Sequence, residues 1–124
     1  VAAGVAMLDA IDAEPDLYDT LERRGARLEA GLRRAAETAG VSVAVQRVGS
    51  MFTVFFSAAP VRSWDDAAHV DRAAFGRFFR AMLARGVLLP PSAFEAAFLS
   101  LAHDEAVIDT IITAAESAFR EART

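Results

Sequence analysis

Two segments rich in β-branched and aromatic residues lie next to each other near the middle of this chain. The segment 41–48 contains valines that mostly alternate with other residues, and the segment 51–56 reads MFTVFF. Such a composition is typical of β-strands. Only Gly49 and Ser50 separate the two segments, and Gly49 can supply the turn. Because a helical crossover does not fit in so short a connection, the sequence predicts two adjacent antiparallel strands.

A helical pattern of apolar residues precedes these strands. It begins at the start of the chain and is interrupted by Pro15, which removes a hydrogen bond from a helix interior but is tolerated in a first turn. The sequence therefore predicts one helix that ends near Ala13 and a second helix that continues to about Ala39. Gly40 is the residue type expected immediately after a helix.

Helical patterns also follow the two strands. The stretch 57–66 is rich in residues that favour loops, and we predict a loop there. Asp71 can cap a helix that continues to about Arg85, where Gly86 ends it. Farther along, Asp104 can cap a last helix that is rich in isoleucine.

Two further short strands are predicted between these helices. Residues 87–89 precede a double proline, and residues 97–101 read AFLSL. The resulting order is helix, helix, strand, strand, helix, short strand, strand, helix. It predicts an α+β domain in which helices cover one face of a mostly antiparallel sheet of three or four strands. The apolar residues expected to face that sheet are Leu17, Leu21, Leu28, Leu32, Phe75, Phe78, Phe79, Met82, Ile108, Ile111 and Ile112.

The chain contains no lysine, because all 13 residues of its lysine-plus-arginine count are arginines. No side chain can therefore form a Schiff base with a carbonyl compound. The chain has no cysteine either, which excludes a disulfide, a thiolate nucleophile and a thiolate zinc site. His69 and His103 lie far apart in the sequence, so we expect no metal site and interpret both as structural histidines.

The charge and hydropathy of the chain limit the classes of partner that it can bind. A net charge of −4 and an isoelectric point near 5.1 disfavour nucleic acids, whose binding requires concentrated positive charge. No apolar run approaches the ~20 residues of a membrane helix, and no targeting segment is evident. We therefore expect one soluble, cytoplasmic domain over 1–124, with no nucleic-acid or membrane partner. Val1 is not an initiator methionine and the first helix lacks a cap, which indicates a piece of a longer chain.

The segment PPSAFEAAF, over 90–98, is the one place where the residues alone indicate a site. The prolines restrict the backbone, Ser92 offers a hydroxyl group, and Glu95 stands alone among apolar neighbours. A carboxylate in apolar surroundings loses hydration unless a cation or a hydrogen-bond donor meets it. Glu95 is thus either a functional carboxylate or an exposed loop glutamate, and the spacing does not decide between them.

Three parts of the sequence together resemble a known enzyme family. They are the run VGSMFTVFF, the run FGRFFRAMLARGVLLPPSAFEAAFLSLAH and the isoleucine-rich last helix. They are similar to the C-terminal small domain of glutamate-1-semialdehyde 2,1-aminomutases, which are pyridoxal-phosphate enzymes of the class III aminotransferase group. The resemblance covers nearly the whole chain, and the PSAFEAAFxSxAH stretch is its most specific part.

This resemblance implies a fold-type I homodimer in which the small domain packs over pyridoxal 5'-phosphate held mainly by a large domain. Residues 1–14 would be the end of the helix that links the two domains. The family's Schiff-base lysine, phosphate-binding residues and substrate arginine precede Val1, so we expect this chain alone to be inactive. The implied reaction isomerises (S)-4-amino-5-oxopentanoate, an amino-aldehyde also called glutamate 1-semialdehyde, to 5-aminolevulinate for tetrapyrrole synthesis.

The resemblance also places Glu95 against the substrate, with Ser50, Met51 and Ser92 in the wall of the same pocket. A fixed carboxylate attracts the ammonium groups of a diamine intermediate and repels a dicarboxylate such as 2-oxoglutarate. No catalytic, cofactor-binding or metal-binding residue is assigned within the chain. Two alternatives stay open: the small domain of another class III aminotransferase, and a non-catalytic α+β module that senses a ligand or mediates an interaction.

Overall fold

The computed structural model describes residues 1–123, whose helices and strands follow the predicted order closely. The elements are α1 (Ala2–Asp12), α2 (Leu17–Ala39), β1 (Ala44–Val48), β2 (Met51–Phe55), α3 (Trp64–Ala68), α4 (Arg72–Leu83), β3 (Ala97–Phe98) and α5 (Glu105–Ala122). The carboxylates of Asp71 and Asp104 each accept a hydrogen bond at 2.9 Å from a backbone N–H of the helix that follows. Gly40 adopts left-handed backbone angles after α2. These three predicted helix boundaries are confirmed.

The strands form one antiparallel sheet in the order β1-β2-β3. β1 and β2 make a hairpin around Gly49, whose φ of 58° lies in the left-handed region that favours glycine. β3 pairs with the other edge of β2. The predicted α+β fold with a mostly antiparallel sheet is confirmed.

Three of the strand predictions are wrong in extent. The strand predicted over 41–48 begins only at Ala44. Residues 87–89 form no strand, and the strand predicted over 97–101 is restricted to Ala97–Phe98. Val87 and Leu89 are instead partly buried against the core. Their apolar character therefore serves packing, which the sequence pattern alone does not separate from strand pairing.

The loop predicted over 57–66 contains the start of a short helix. The hydroxyl oxygen of Ser63 accepts a hydrogen bond from the N–H of Asp66 at 3.2 Å, and the carboxylate of Asp66 accepts one from the N–H of Ser63 at 3.0 Å. This reciprocal pair is a capping box, and it begins α3. The loop prediction is wrong for residues 64–66 because it gave weight to the aspartates as loop formers and not to the Ser-x-x-Asp spacing.

Helices cover one face of the sheet, as predicted. On that face Val45, Phe52 and Val54 are buried, and α2 packs against both β1 and β2. α5 packs in turn against α2 and α4. The core therefore lies between the sheet and a layer of helices.

Aromatic side chains form the centre of this core. Phe78 of α4 and Phe119 of α5 are fully buried and stack with ring centroids 4.5 Å apart. The ring of Phe56, just after β2, lies 5.5 Å from that of Phe78 and 6.0 Å from that of Phe119. Burial of these large apolar rings holds α4 and α5 against each other and against the residue that follows β2.

The predicted core residues divide into two groups. The residues that are buried as predicted are Leu28, Leu32, Phe75, Phe78, Met82 and Ile108. The residues that are only partly buried are Leu17, Leu21, Phe79, Ile111 and Ile112. Leu17 and Leu21 lie in the first turns of α2, whose buried residues begin at Gly25. Phe79, Ile111 and Ile112 pack against the core as predicted, so the prediction extended the buried stripe too far only at the start of α2.

Helix α1 differs from the others because none of its residues is buried. Its apolar side chains Val5 and Leu8 are exposed. The predicted end of the first helix near Ala13 is confirmed. The assignment of 1–14 to the end of a linking helix, and of 1–124 to a single C-terminal small domain, stays a prediction. Nowhere in the part of the chain that the structure describes is a helix both long and apolar enough to cross a lipid bilayer.

The hairpin turn lies directly on α2. A Cβ atom at Gly25 would overlap the backbone oxygen of Gly49, so this approach requires glycine. The guanidinium group of Arg47 donates to the same oxygen at 2.7 Å. It also donates to the carboxylates of Glu22 and Glu29 at 2.8 and 2.9 Å. Arg47 thereby joins the strand and its turn to the helix.

These contacts change the acidity of both glutamates. Hydrogen bonding from Arg47 lowers the pKa of Glu22 below its ordinary value. Burial raises the pKa of Glu29, but hydrogen bonds from Arg33 and Arg47 outweigh burial, so that this pKa also lies below its ordinary value. Both carboxylates are therefore ionised at neutral pH and stay paired with Arg47.

Replacing Phe78 by alanine should lower the free energy of unfolding by about 3–5 kcal/mol, because it empties a fully buried aromatic position. The control is Leu88→Ala, since the Leu88 side chain is 77% exposed. Leu88→Ala should lower the free energy of unfolding by no more than about 0.5 kcal/mol. Urea unfolding followed by circular dichroism measures both variants, and equal effects would contradict the assigned core face of α4.

Replacing Gly25 by alanine should destabilise the protein by about 1–3 kcal/mol, although alanine is the better helix former, because the added methyl group displaces the hairpin turn. Gly4→Ala is the matched control: Gly4 also lies in a helix, but the space around it is open. Gly4→Ala should leave stability unchanged or slightly raised. Thermal unfolding compares the two, and stabilisation at both positions would show that the hairpin does not press on α2.

Candidate functional site

Residues 90–96 form a compact turn beside the sheet. The N–H of Glu95 donates to the carbonyl oxygen of Ser92 at 3.3 Å, and the N–H of Phe94 donates to the hydroxyl oxygen of Ser92 at 3.2 Å. Ala93 is buried, whereas Phe94 and Glu95 are exposed. The turn thus folds around Ser92 and presents Phe94 and Glu95 at the surface.

One side-chain hydrogen bond ties this turn to strand β2. The hydroxyl group of Thr53 donates to the backbone carbonyl oxygen of Glu95 at 3.2 Å. The sequence gives no signal for this contact, because the acceptor is a backbone atom and the two residues are far apart along the chain. Thr53 is therefore a residue of this candidate site that the sequence reasoning missed.

The carboxylate of Glu95 contacts the backbone of its own turn. Its Oε2 atom accepts a long hydrogen bond of 3.4 Å from the N–H of Ser92. Across residues 1–123 no arginine or histidine forms an ion pair with it. The sequence places this carboxylate among apolar neighbours, but the structure leaves it exposed, so it keeps its hydration within this chain. It is accessible to a positively charged group from outside the chain.

Ser50 and Met51 lie at the hairpin end of the same pair of strands. The carbonyl oxygen of Ser50 accepts a hydrogen bond from the N–H of Leu99 at 3.0 Å, and Met51 pairs with Phe98. The side chain of Met51 is exposed. The backbone of Ser50 thus connects β2 to the end of β3, and Met51 is available for contact.

The four predicted site residues therefore form two pairs along the β2–β3 edge. Ser92 and Glu95 lie beside Thr53. Met51, at the start of β2, and Ser50, in the turn before it, lie two and three residues earlier along the chain, a separation of about 7–10 Å at the rise of a strand. Their common role in one substrate pocket stays a prediction.

The face of the sheet opposite the helices carries an exposed apolar row. Val48, Met51 and Phe98 occupy neighbouring register positions on the three strands, and all three are exposed. A contiguous apolar row on a sheet face is typical of a surface that contacts other protein or a ligand. The sequence reasoning identified Met51 in this row but not Val48 or Phe98.

A separate cleft of about 400 Å³ lies between β3, α5 and the 85–89 segment. Its lining includes Phe52, Leu88, Ile111 and His103. None of the four predicted site residues lines it. The cleft therefore does not join the two pairs described above.

Both histidines have contacts within the chain. The imidazole Nδ1 of His69 donates to the carbonyl oxygen of Asp65 at 2.6 Å, and that of His103 accepts from the N–H of Ser100 at 3.0 Å. In the described part of the chain, no group of three or more histidine, aspartate or glutamate side chains could hold a metal ion. With no lysine in the sequence, the chain also has no side-chain amine with which to hold pyridoxal phosphate.

Comparison with known proteins identifies enzymes whose sequences are similar to that of this chain. No protein-family model matches it. It is 56% identical over 118 residues to glutamate-1-semialdehyde 2,1-aminomutase of Sorangium cellulosum and 51% identical over 120 residues to that of Myxococcus xanthus. The matches include 95% and 97% of this chain. The chain spans only 26% and 28% of the length of these curated relatives.

Solved structures agree with these matches. An omega-transaminase from Sphaerobacter thermophilus is similar with a TM-score of 0.72 and 26% identity, over 86% of this chain and 24% of that one. A glutamate-1-semialdehyde-aminomutase from Pseudomonas aeruginosa PAO1 shares the fold with a TM-score of 0.75 at 24% identity, again over 86% of this chain and 24% of that one. Sequence and fold thus confirm that this chain is related to the glutamate-1-semialdehyde 2,1-aminomutases, over about a quarter of their length.

Proposed function

We propose that this chain is the small-domain part of an aminomutase that converts (S)-4-amino-5-oxopentanoate, glutamate 1-semialdehyde, into 5-aminolevulinate. The observation that carries this proposal is the 56% identity to a protein of that name over 95% of the chain. Because the chain spans 26% of that relative, the activity would belong to a longer protein and not to this segment alone. The product would serve tetrapyrrole, and hence porphyrin, biosynthesis.

Pyridoxal 5'-phosphate would be held by residues outside this chain, which has no lysine. Solved structures of similar fold include a transaminase with that cofactor bound and an aminomutase in complex with PMP. The bound cofactor would supply amino-group transfer, a chemistry that no side chain here provides. The contribution of this chain would be to shape the pocket and set its charge.

Glu95 would select the substrate by charge. Its carboxylate is exposed and accepts a long hydrogen bond of 3.4 Å from a backbone N–H. At an exposed position solvent screens the charge, but a domain that covers the turn would lower the effective dielectric constant and strengthen its field. The carboxylate would then attract the ammonium groups of a diamine and repel a dicarboxylate.

The other predicted site residues would have smaller roles. The hydroxyl group and the carbonyl oxygen of Ser92 already accept hydrogen bonds within the turn, so Ser92 would shape the pocket wall. The exposed side chain of Met51 would provide an apolar part of the wall, and Ser50 would hold the neighbouring backbone.

As the family resemblance implies, the longer protein would be a cytoplasmic homodimer.

The exposed apolar row of Val48, Met51 and Phe98 supports contact with further protein surface, because such a row is costly to leave in water. That surface would belong to the rest of the longer protein.

Another class III aminotransferase is the second candidate, because the Sphaerobacter omega-transaminase has a similar fold. An enzyme that exchanges its amino group with a dicarboxylate must admit that dicarboxylate to the pocket. The carboxylate of Glu95 disfavours it, whereas a neutral or positive side chain at that position would not. We therefore place the aminomutase first.

In the full-length protein, Glu95→Gln should change the type of reaction more than its rate. Loss of the charge should increase release of the diamine and permit amino-group exchange with 2-oxoglutarate, with a change in partitioning of about tenfold or more, at ~1.4 kcal/mol per decade. Product analysis with and without 2-oxoglutarate measures both quantities.

The matched control is Glu37→Gln, which removes another exposed glutamate on α2, away from the turn. It should leave both quantities unchanged. Wild-type behaviour of the Glu95→Gln variant in both assays would remove Glu95 from the site.

The chain alone should form no covalent adduct with pyridoxal phosphate on a side chain, because it has no lysine. Incubation with the cofactor, reduction with borohydride and peptide mass spectrometry test this. The α-amino group at Val1 is an internal reference, since it can react without any specific site. A stable side-chain adduct would contradict the proposal that the cofactor is held elsewhere.

A further inference from the structure

An aromatic pair connects α3 to the turn that carries Glu95. The rings of Trp64 and Phe94 lie with their centroids 5.2 Å apart and are inclined at 55°. Trp64 is 68% exposed and Phe94 is 38% exposed, so this contact lies at the surface and adds little to the core. Phe94 is the direct neighbour of Glu95 in the turn.

Trp64 stands on a segment that is fixed at both ends. The side-chain amide of Gln46 in β1 donates to the carbonyl oxygen of Val61 at 2.9 Å and accepts from the N–H of Val61 at 2.6 Å. At the other end the N–H of Asp71 donates to the carbonyl oxygen of Phe56 at 2.9 Å. These bonds fix the backbone of the segment that carries Trp64 relative to β1 and the end of β2.

The turn itself has few other attachments. Its contacts described above are the hydrogen bond from Thr53 to the carbonyl oxygen of Glu95 and the burial of Ala93. Neither contact restrains the ring of Phe94. The Trp64 ring restrains the Phe94 ring by direct contact. Because side-chain rotamer and backbone conformation are coupled, a fixed Phe94 side chain also restricts the backbone that carries Glu95.

We infer that Trp64 is a positioning residue that acts through Phe94 to hold the Glu95 turn in one conformation. The consequence for catalysis rests on the proposed function, in which Glu95 sets the reaction type. Removal of the Trp64 ring then loosens the turn and weakens the selectivity of Glu95, while the carboxylate of Glu95 itself is kept.

Amide hydrogen exchange of the chain, measured by NMR, tests the structural part without reference to activity. The N–H groups of Phe94 and Glu95 are hydrogen-bonded within the turn, so their exchange rates report directly on its opening. Trp64→Ala should raise both rates by about two- to tenfold, the range expected for loss of one aromatic contact. Amides of the buried part of α2, at Leu28 and Leu32, should not change.

Two variants serve as controls. Trp64→Phe keeps an aromatic ring against Phe94 and should restore most of the protection. Tyr18→Ala removes an aromatic ring of similar exposure, 66% against 68% for Trp64, from α2, and should leave exchange in the turn unchanged. Unchanged exchange at Phe94 and Glu95 in Trp64→Ala would overturn the inference, whatever the activity.

The full-length protein tests the catalytic consequence. Trp64→Ala should shift partitioning toward exchange with 2-oxoglutarate in the same direction as Glu95→Gln but by a smaller factor. The double variant should match Glu95→Gln alone, because Trp64 acts through Glu95. Additive effects, or no shift in Trp64→Ala beside a shift in Glu95→Gln, would overturn this consequence. A wild-type protein without aminomutase activity would instead refute the proposed function, and the exchange rates would still decide the role of Trp64.

Discussion

The rest of the structure depends on the contact between the β1–β2 hairpin and helix α2. Gly25 lets the backbone of Gly49 approach the helix, and Arg47 joins the turn to Glu22 and Glu29. An exposed ion pair contributes about 0–1 kcal/mol, but a guanidinium group that donates to three acceptors while mostly buried also fixes geometry. The position of β2 relative to the helices follows from this contact. β2 in turn holds both β3 and the turn that carries Glu95.

Much of this fold could be predicted because its signals are local. The helix ends at Gly40, Asp71 and Asp104 each depend on a side chain or a backbone angle within a few residues. The failure at 87–89 has the opposite cause, since an apolar run becomes a strand only if a neighbour with free hydrogen-bonding groups lies beside it. The Ser-x-x-Asp spacing does indicate the short helix α3, but the residues around that spacing are typical of a loop.

The site could be predicted only in part, for the same physical reason. Glu95 attracts attention in the sequence because it is a lone carboxylate between apolar residues. Its attachments to Thr53, and through Phe94 to Trp64, join residues that are far apart along the chain. No local pattern identifies such partners. The exposure of Glu95 could not be predicted from the sequence either, because it depends on the helices covering only one face of the sheet.

The absence of lysine gives the ion pairs of this fold a one-sided response to pH. Glu22, Glu29 and Glu105 have pKa values below the ordinary 4.5, so the stability that they contribute is complete above about that pH and declines as the pH falls through their lower folded values. Their partners are arginines, which keep their charge beyond pH ~12, whereas a lysine partner would begin to lose its charge near pH ~10. Acid therefore weakens the ion pairs that join the hairpin and the start of α5 to α2, while alkali leaves both partners of each pair charged.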